Sequence, residues 1–328
     1  MNRLRSVYTV RGRWAAVVLF LLVGLGSAVA APNAEVELPR SVAQGDVLPV
    51  VVFSDTMISG TAELVLSDET RHSAPVWRAA GPSGSDDRSA WIALIGVSST
   101  AAVGEAEVVV QVSGPPDDPP RPDKTETIPI RVEDGQFRSE EIALNRDMTE
   151  LRTTDDPRRA EQSRTLWEVI QRINTDSRRH TGRFQLPVDE FRETSFFGDR
   201  REFRYIDGGS SRSIHNGMDL AAPTGTPVIA PANGEVVMAE DRIITGLSVV
   251  LEHLPGVFSL YYHLDSMDVV VGDEVSAGDS LGTVGSTGLS TGPHLHWELR
   301  VSGVAVDPRK YLSEPLVDME MLRRSLSE

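Results

Sequence analysis

Residues 291–301 read T-G-P-H-L-H-W-E-L-R-V, a turn followed by an apolar run that predicts a strand from His294 to Val301. Successive side chains of a strand point to opposite faces, so His294 and His296 lie on one side, about 6.6 Å apart along the backbone. Trp297 points to the other side and is predicted to lie in the core. One histidine of the pair can therefore bind a metal while the other faces a substrate.

Two upstream segments add further groups that can bind or assist a metal ion. The first, H-N-G-M-D, begins at His215 and ends at Asp219, and the second, Y-Y-H-L, contains His263. The sequence has no cysteine, so histidine and carboxylate are the strong ligands left for a transition metal. His215, Asp219 and one histidine of the later pair make three protein ligands, which leaves one position of a tetrahedral ion open for water. Such an open position is typical of catalytic zinc.

The whole segment from Gly182 onward consists of short apolar runs separated by glycine, which predicts a mostly β unit. The predicted strands are residues 227–229, 234–238, 248–253, 258–264, 281–284 and 294–301. Alternation within 258–264 places Tyr261 on the same face as His263, where its hydroxyl can hydrogen-bond near the metal. The charged tail 314–328 is expected to form a short helix or a frayed end.

The first half of the chain, residues 31–135, also predicts strands. They are residues 48–53, 62–66, 91–97, 105–112 and 127–132. The proline-rich residues 114–120 predict a loop, because proline removes backbone donors and restricts φ. The length and pattern predict an immunoglobulin-like β-sandwich. No catalytic constellation occurs in it, so it is interpreted as a spacer, a regulatory module or a surface for an envelope protein partner.

A helix is predicted within the linking segment, residues 136–180. Asp156 is a helix N-cap residue and Pro157 occupies the first helical position. Leu166, Ile170 and Ile173 recur at helical spacing, so the helix is expected to extend for roughly 18 residues. Its apolar stripe is interpreted as a face that packs on a neighbouring domain.

Residues 1–30 predict an export signal. Arginines precede an uncharged run from Trp14 to Ala30, and Ala28-Val29-Ala30 forms an A-x-A exit that favours cleavage after Ala30. The expected location is therefore periplasmic or extracellular. An uncleaved membrane anchor is the alternative, since about 17 uncharged residues approach the roughly 20 that cross a bilayer. The net charge of -16 argues against binding of nucleic acid.

Residues 196–308 resemble the lysostaphin-type (LytM) zinc metallopeptidases, which cut peptidoglycan peptides. The resemblance is carried by F-G-D-R at 197–200, the His-x-x-x-Asp pair at 215–219, A-A-P-T-G-T-P-V at 221–228, G-E-V at 234–236, Y-Y-H-L at 261–264, G-S-T-G at 285–288, T-G-P-H-L-H at 291–296 and V-D-P at 306–308. These motifs agree with the family in order and in spacing, which makes the resemblance highly specific.

The resemblance implies roles for five residues. His215, Asp219 and His296 match the zinc ligands of the family, and His263 and His294 match its pair of catalytic histidines. The implied fold of residues 181–313 is a mostly antiparallel β-domain with a groove above the sheet.

A tyrosine upstream of the first ligand steadies the oxyanion in the family, and Tyr205 is the candidate here. The implied function is a zinc-dependent endopeptidase that hydrolyses peptide bonds in peptidoglycan stem peptides or cross-links by metal-activated water. One alternative is a zinc-binding but non-hydrolytic activator of a separate cell-wall amidase, and another is a peptidase that acts on an envelope protein. The presence of all five family residues favours the peptidoglycan enzyme.

Overall fold

The structure is a computed structural model that describes residues 33–80, 88–114, 123–175, 177, 179–180 and 182–326. The predicted signal, residues 1–30, lies outside the described residues. Within the described ranges, no helix combines the length and the apolar character needed to cross a membrane.

The described residues of the first part of the chain form nine strands, in two sheets. They are β1 (Ala34–Glu37), β2 (Ser41–Ala43), β3 (Val47–Ser54), β4 (Ser59–Val65), β5 (Arg71–Pro75), β6 (Trp77–Ala80), β7 (Ser89–Gly96), β8 (Gly104–Ser113) and β9 (Lys124–Glu133). The first sheet has the order β1-β3-β7-β6, and the second has the order β2-β9-β8-β4-β5. Side chains from both sheets share one hydrophobic core, which includes Leu48, Leu64 and Val108. The resemblance of this unit to an immunoglobulin domain stays a prediction.

The first sheet is buried on both faces, because β3 and β7 are apolar at nearly every position. Leu48, Val50 and Val52 point toward the second sheet. Val51 and Phe53, on the opposite face of β3, belong to the core of the C-terminal half. The described part of the chain is therefore layered, with the first sheet in the middle.

The described residues of the linking segment form one strand and two helices, β10 (Ser139–Ala143), α1 (Arg146–Thr153) and α2 (Pro157–Ile170). Asp156 caps α2 as predicted, since its carboxylate accepts a hydrogen bond from the backbone N–H of Arg158. The predicted length was wrong, because α2 has 14 residues and ends before Ile173, which is exposed. Val169 and Ile170 are the buried residues of α2, so only the last turn of the expected stripe packs fully on the C-terminal half.

Twelve strands follow, and most of them form one large, mainly antiparallel sheet. They are β11 (Arg192–Ser195), β12 (Arg200–Arg204), β13 (Ser210–Ile214), β14 (Gly217–Ala221), β15 (Pro227–Ile229), β16 (Gly234–Arg242), β17 (Gly246–Leu254), β18 (Val257–Met267), β19 (Glu274–Val275), β20 (Ser280–Val284), β21 (Leu295–Val301) and β22 (Val304–Val306). The main path runs β11-β14-β21-β18-β17-β16-β19, while β10, β12 and β13 form a separate small sheet. The mostly β fold class is confirmed.

Strand β21 lies between β14 and β18 and is buried along its whole length. Trp297 is fully buried in the core, as predicted. The tail forms a short helix, α3 (Met319–Ser325), after a 3-10 helix at Lys310–Leu312. Leu322 of α3 is fully buried in the same core, so the tail is part of the folded unit.

Candidate functional site

Strands β14 and β21 bring the first candidate ligands together. Asp219 on β14 lies directly opposite His296 on β21 in the antiparallel register. His215 precedes β14 by two residues and is buried beside them, with 2% of its surface exposed. Gly217 permits this close approach, because a Cβ atom there would lie 2.3 Å from the backbone oxygen of Trp297. Nothing larger than glycine fits between the two ligand-bearing strands at this point.

The donor atoms of these three residues converge on one point. His215 Nε2 lies 3.0 Å from Asp219 Oδ1 and 2.9 Å from His296 Nδ1, and His296 Nδ1 lies 2.7 Å from the same carboxylate oxygen. All three residues are buried. Two imidazole nitrogens and one carboxylate oxygen in this arrangement can hold a metal ion.

Each of the two candidate ligand histidines is oriented by a hydrogen bond on its outer side. His215 Nδ1 lies 2.9 Å from the carbonyl oxygen of Phe196, and His296 Nε2 lies 3.0 Å from Glu298 Oε1. Both outer partners are acceptors, so the ring proton belongs on the outer nitrogen. The inner nitrogens, His215 Nε2 and His296 Nδ1, therefore face the carboxylate of Asp219, and a cation that binds there replaces any proton on them.

Glu298 continues this arrangement away from the site. Its second oxygen accepts hydrogen bonds from Arg300 Nη2 at 2.7 Å and Nε at 2.8 Å, and both side chains are buried. Burial opposes ionisation of Glu298, but Arg300 and His296 outweigh it and lower the pKa of Glu298 to about 2. Burial also opposes the charged form of His296, but hydrogen bonds to Asp219 and Glu298 raise its pKa to about 9. The two carboxylates make the centre favourable for positive charge.

His263 and His294 lie beside this centre and have the same kind of orientation. His263 Nδ1 lies 2.8 Å from the carbonyl oxygen of Thr287, and His294 Nδ1 lies 2.8 Å from that of Gly292. Their ring centroids are 4.8 Å apart, and His294 Nε2 lies 3.7 Å from Asp219 Oδ1. Both histidines therefore keep an unprotonated Nε2 available.

Both His263 and His294 have lowered pKa values. Burial, together with the neighbouring His294 and His296, lowers the pKa of His263 to about 3. Burial also lowers the pKa of His294, although the carboxylate of Asp219 opposes that effect. Both side chains are therefore neutral at pH 7 and can accept a proton.

The structure corrects the expected position of Tyr261. His263 has a φ of 63°, in the left-handed region that non-glycine residues rarely adopt, so the alternation of side chains breaks within β18. Tyr261 turns into the core and lies 2.7 Å from Ser259 Oγ. Tyr262 takes its place beside the site, with its ring stacked on His296 at 5.4 Å between centroids. The unusual backbone of His263 allows the imidazole to reach the site.

Tyr205 lies at the opposite end of its hairpin from the ligands. His215 follows the open end of the β12–β13 ladder, whereas Tyr205 lies in the turn, where its hydroxyl donates a hydrogen bond to Ser211 Oγ at 2.6 Å. Five paired positions lie between His215 and Tyr205, so the two residues are six steps apart along the ladder, or about 20 Å. The structure therefore does not bring Tyr205 into the histidine cluster.

Sequence reasoning missed two charged residues at the site, Glu298 and Arg201. Glu298 could have been found, because residues two apart on a strand share a face and His296 was already identified. Arg201 had no local signal. It lies on β12 and donates from Nη2 to Asp219 Oδ2 at 2.6 Å.

Comparison with known proteins gives a family match over the segment that holds the site. Residues 213–308 match the model of Peptidase family M23. The DD-carboxypeptidase/endopeptidase Mpg of Neisseria meningitidis is 45% identical over 95 residues, 29% of this chain and 22% of that protein. The peptidoglycan DD-endopeptidase ShyA of Vibrio cholerae is 44% identical over 128 residues, 38% of this chain and 29% of that protein. The chain thus spans less than a third of the length of these curated relatives.

A solved structure extends the likeness in fold beyond that segment. A crystal structure of a candidate M23 peptidase from Pseudomonas aeruginosa aligns with 83% of this chain and 95% of its own, with a TM-score of 0.55 and 22% identity. At this identity the match shows a shared fold alone.

Proposed function

Residues 213–308 form a domain of peptidase family M23, and from this premise we propose that the protein is a zinc-dependent endopeptidase that hydrolyses peptide bonds in peptidoglycan. The observation that carries the proposal is the convergence of His215, Asp219 and His296, with His263 and His294 beside them. A protein that only binds or activates has no need for the additional neutral pair.

The metal is assigned to His215 Nε2, Asp219 Oδ1 and His296 Nδ1. Histidine and carboxylate donors suit zinc, and three protein ligands are typical of catalytic zinc sites. Zinc held there would supply Lewis acidity, which would favour loss of a proton from water and would polarise a carbonyl.

His263 and His294 are assigned to proton transfer. Hydrolysis of a peptide bond requires that the attacking water lose a proton and that the leaving amine gain one. The hydrogen bonds from Nδ1 to the carbonyl oxygens of Thr287 and Gly292 leave Nε2 as the free nitrogen of each ring, and His294 Nε2 lies 3.7 Å from Asp219 Oδ1. Because both rings are neutral, either can accept the proton of the water, and the pair can then deliver a proton to the amine.

Peptidoglycan stem peptides or cross-links are the proposed substrate. The relatives Mpg and ShyA bear names that describe DD-carboxypeptidase and DD-endopeptidase activities, which favours a bond between D-amino acids in the cross-link. The predicted export signal would deliver the protein to the periplasm or the outside of the cell, where this substrate lies. The N-terminal sheets are proposed to serve as a spacer or as a surface for an envelope protein.

The test is digestion of purified peptidoglycan by the zinc-loaded protein, with the products resolved by mass spectrometry and the metal content measured in parallel. Wild type should remove cross-linked dimers. His263→Ala should retain the metal and abolish cleavage, whereas Asp219→Ala should lose both. His72→Ala is the control, since this half-buried histidine lies on β5, away from the site.

Two results would contradict the proposal. Intact dimers with zinc-loaded wild type would favour an activator that recruits a separate amidase. Cleavage that survives His263→Ala would remove the assigned role of the neutral pair.

A further inference from the structure

The two oxygens of Asp219 have different partners. Oδ1 faces the ligand histidines, at 3.0 Å from His215 Nε2 and 2.7 Å from His296 Nδ1. Oδ2 points the other way and accepts a hydrogen bond from Arg201 Nη2 at 2.6 Å. A charge-assisted bond of this length fixes the rotation of the carboxylate, so that a single oxygen faces the metal position.

Arg201 is itself held by Glu140. The Nε atom of Arg201 donates to Glu140 Oε1, and Ser195 Oγ donates to the same carboxylate at 3.2 Å. The side chains of Arg201 and Glu140 are 15% and 28% exposed, so the pair lies largely out of solvent. Ion pairs that are shielded in this way are much less weakened by water than surface pairs.

Glu140 reaches the site from outside the matched family segment. It lies on β10, in the linking segment, and β10 pairs in parallel with β12 so that Glu140 is directly opposite Arg201. The family match begins at residue 213, after both strands. Glu140, which follows the N-terminal sheets in the chain, therefore contacts Arg201, and Arg201 contacts the candidate metal ligand Asp219.

The charges explain why two residues are needed at this position. A lone guanidinium beside Asp219 would repel a divalent cation and would draw away part of the negative charge that the cation requires. Glu140 neutralises Arg201, so Arg201 can orient Asp219 at little electrostatic cost to metal binding. Outer partners of metal ligands commonly change metal affinity by about 10–100-fold when they are removed.

We infer that Arg201 and Glu140 are positioning residues that hold Asp219 as a one-oxygen metal ligand, so that metal binding by the M23 domain depends on strand β10. This inference rests on the metal site of the proposed function. It requires no contact between either residue and the substrate.

The experiment measures Zn²⁺ affinity of the full chain by competition with a chromogenic chelator, in the absence of peptidoglycan. Arg201→Gln and Glu140→Gln should each weaken zinc binding by about 10–100-fold. Arg201→Lys keeps a charged donor and should remain closer to wild type. The double variant should match Arg201→Gln alone, because Glu140 acts only through Arg201.

The same two strands offer a matched control. Arg204 on β12 and Glu141 on β10 form an ion pair of 3.0 Å, but their side chains are 48% and 60% exposed. Arg204→Gln and Glu141→Gln change the same charges on the same strands without touching the site. Both should bind zinc within about twofold of wild type, since exposed pairs contribute little.

A spectroscopic readout separates positioning from general stability. The visible absorption bands of Co²⁺ depend on its coordination number, so the spectrum of the Co²⁺-loaded protein should change in Arg201→Gln, where Asp219 is free to turn both oxygens toward the metal. It should not change in Arg204→Gln. If Arg201→Gln fails to fold, Glu140→Gln provides the same test, with Arg201→Lys as the conservative comparison.

Each outcome has one meaning. Tight zinc binding by wild type with unchanged affinity and spectrum in Arg201→Gln or Glu140→Gln overturns the inference and leaves the proposed function standing. Equal losses in the control pair also overturn it. Failure of wild type to bind zinc removes the proposed function itself, which the wild-type titration alone reveals.

Discussion

Replacing Glu298 with glutamine tests how much the outer carboxylate contributes to the centre. The substitution keeps an oxygen that can accept from His296 Nε2, but it removes the charge that pairs with Arg300 at 2.7 Å. Both side chains of that pair are buried, at 6% and 11% exposure, and breaking a buried pair costs about 3–5 kcal/mol. At roughly 2–4 °C per kcal/mol, the melting temperature of the metal-free protein should fall by roughly 6–20 °C.

A second substitution distinguishes stability from metal binding. In Glu298→Gln/Arg300→Met the buried guanidinium is gone, so most of the lost stability should return. Zinc affinity should stay about 10–100-fold below wild type in both variants, because the negative charge beside His296 is still absent. Thermal denaturation and chelator competition measure the two effects separately. A stability loss under about 1 kcal/mol in the single variant, or zinc affinity restored in the double variant, would refute this reasoning.

Three further predictions concern other parts of the structure. Burial lowers the pKa of His253 to about 3, below its ordinary 6.5, so protonation of the unfolded chain should remove stability as pH falls below 6.5, by up to about 1.4 kcal/mol per pH unit. The free energy of unfolding, measured by urea denaturation at pH 7 and pH 5, should fall less in His253→Gln than in wild type. An equal fall would contradict this assignment. Gly217→Ala should lower zinc affinity, as measured by titration, because its Cβ would force β14 away from Trp297. Tyr311→Phe should lower the free energy of unfolding, measured in urea, by about 1–3 kcal/mol, because the buried N–H of Val47 loses its 2.8 Å partner. An unchanged free energy would show that water replaces the hydroxyl.

The parts of the fold that the sequence predicts well are those in which burial alone selects the pattern. The predicted strands 91–97 and 281–284 overlap β7 and β20 almost completely, because apolar runs bounded by turn residues leave few alternatives. Strand β14, which carries Asp219, was not predicted. Its residues overlap the His215–Asp219 motif, which was interpreted as a pair of metal ligands. The five residues G-M-D-L-A also do not show the alternation of apolar and polar side chains that predicts a strand.

The remainder of the site depends on contacts that no local pattern contains. Tyr261 was predicted beside the metal from strict alternation, but the positive φ of His263 reverses the faces of β18. Arg201 meets Asp219 only because β12 and β14 are brought together by separate pairings. His215 and Asp219 lie on one short segment, so the sequence alone indicated them as candidate ligands, whereas the choice of His296 rested on the resemblance to the lysostaphin-type family.

The sheet that contains β3 and β7 contributes side chains to two cores, with Phe53 on one side and Leu48 on the other. The contact with the C-terminal half also includes a backbone hydrogen bond, in which the N–H of Asp307 donates to the carbonyl oxygen of Gly45, just before β3, at 2.7 Å. A truncated protein limited to residues 182–326 would therefore expose a wide apolar face, and exposed faces of this kind promote aggregation. For protein engineering, the smallest transferable piece is the C-terminal half together with strand β10 and this sheet, unless the uncovered surface is redesigned to be polar.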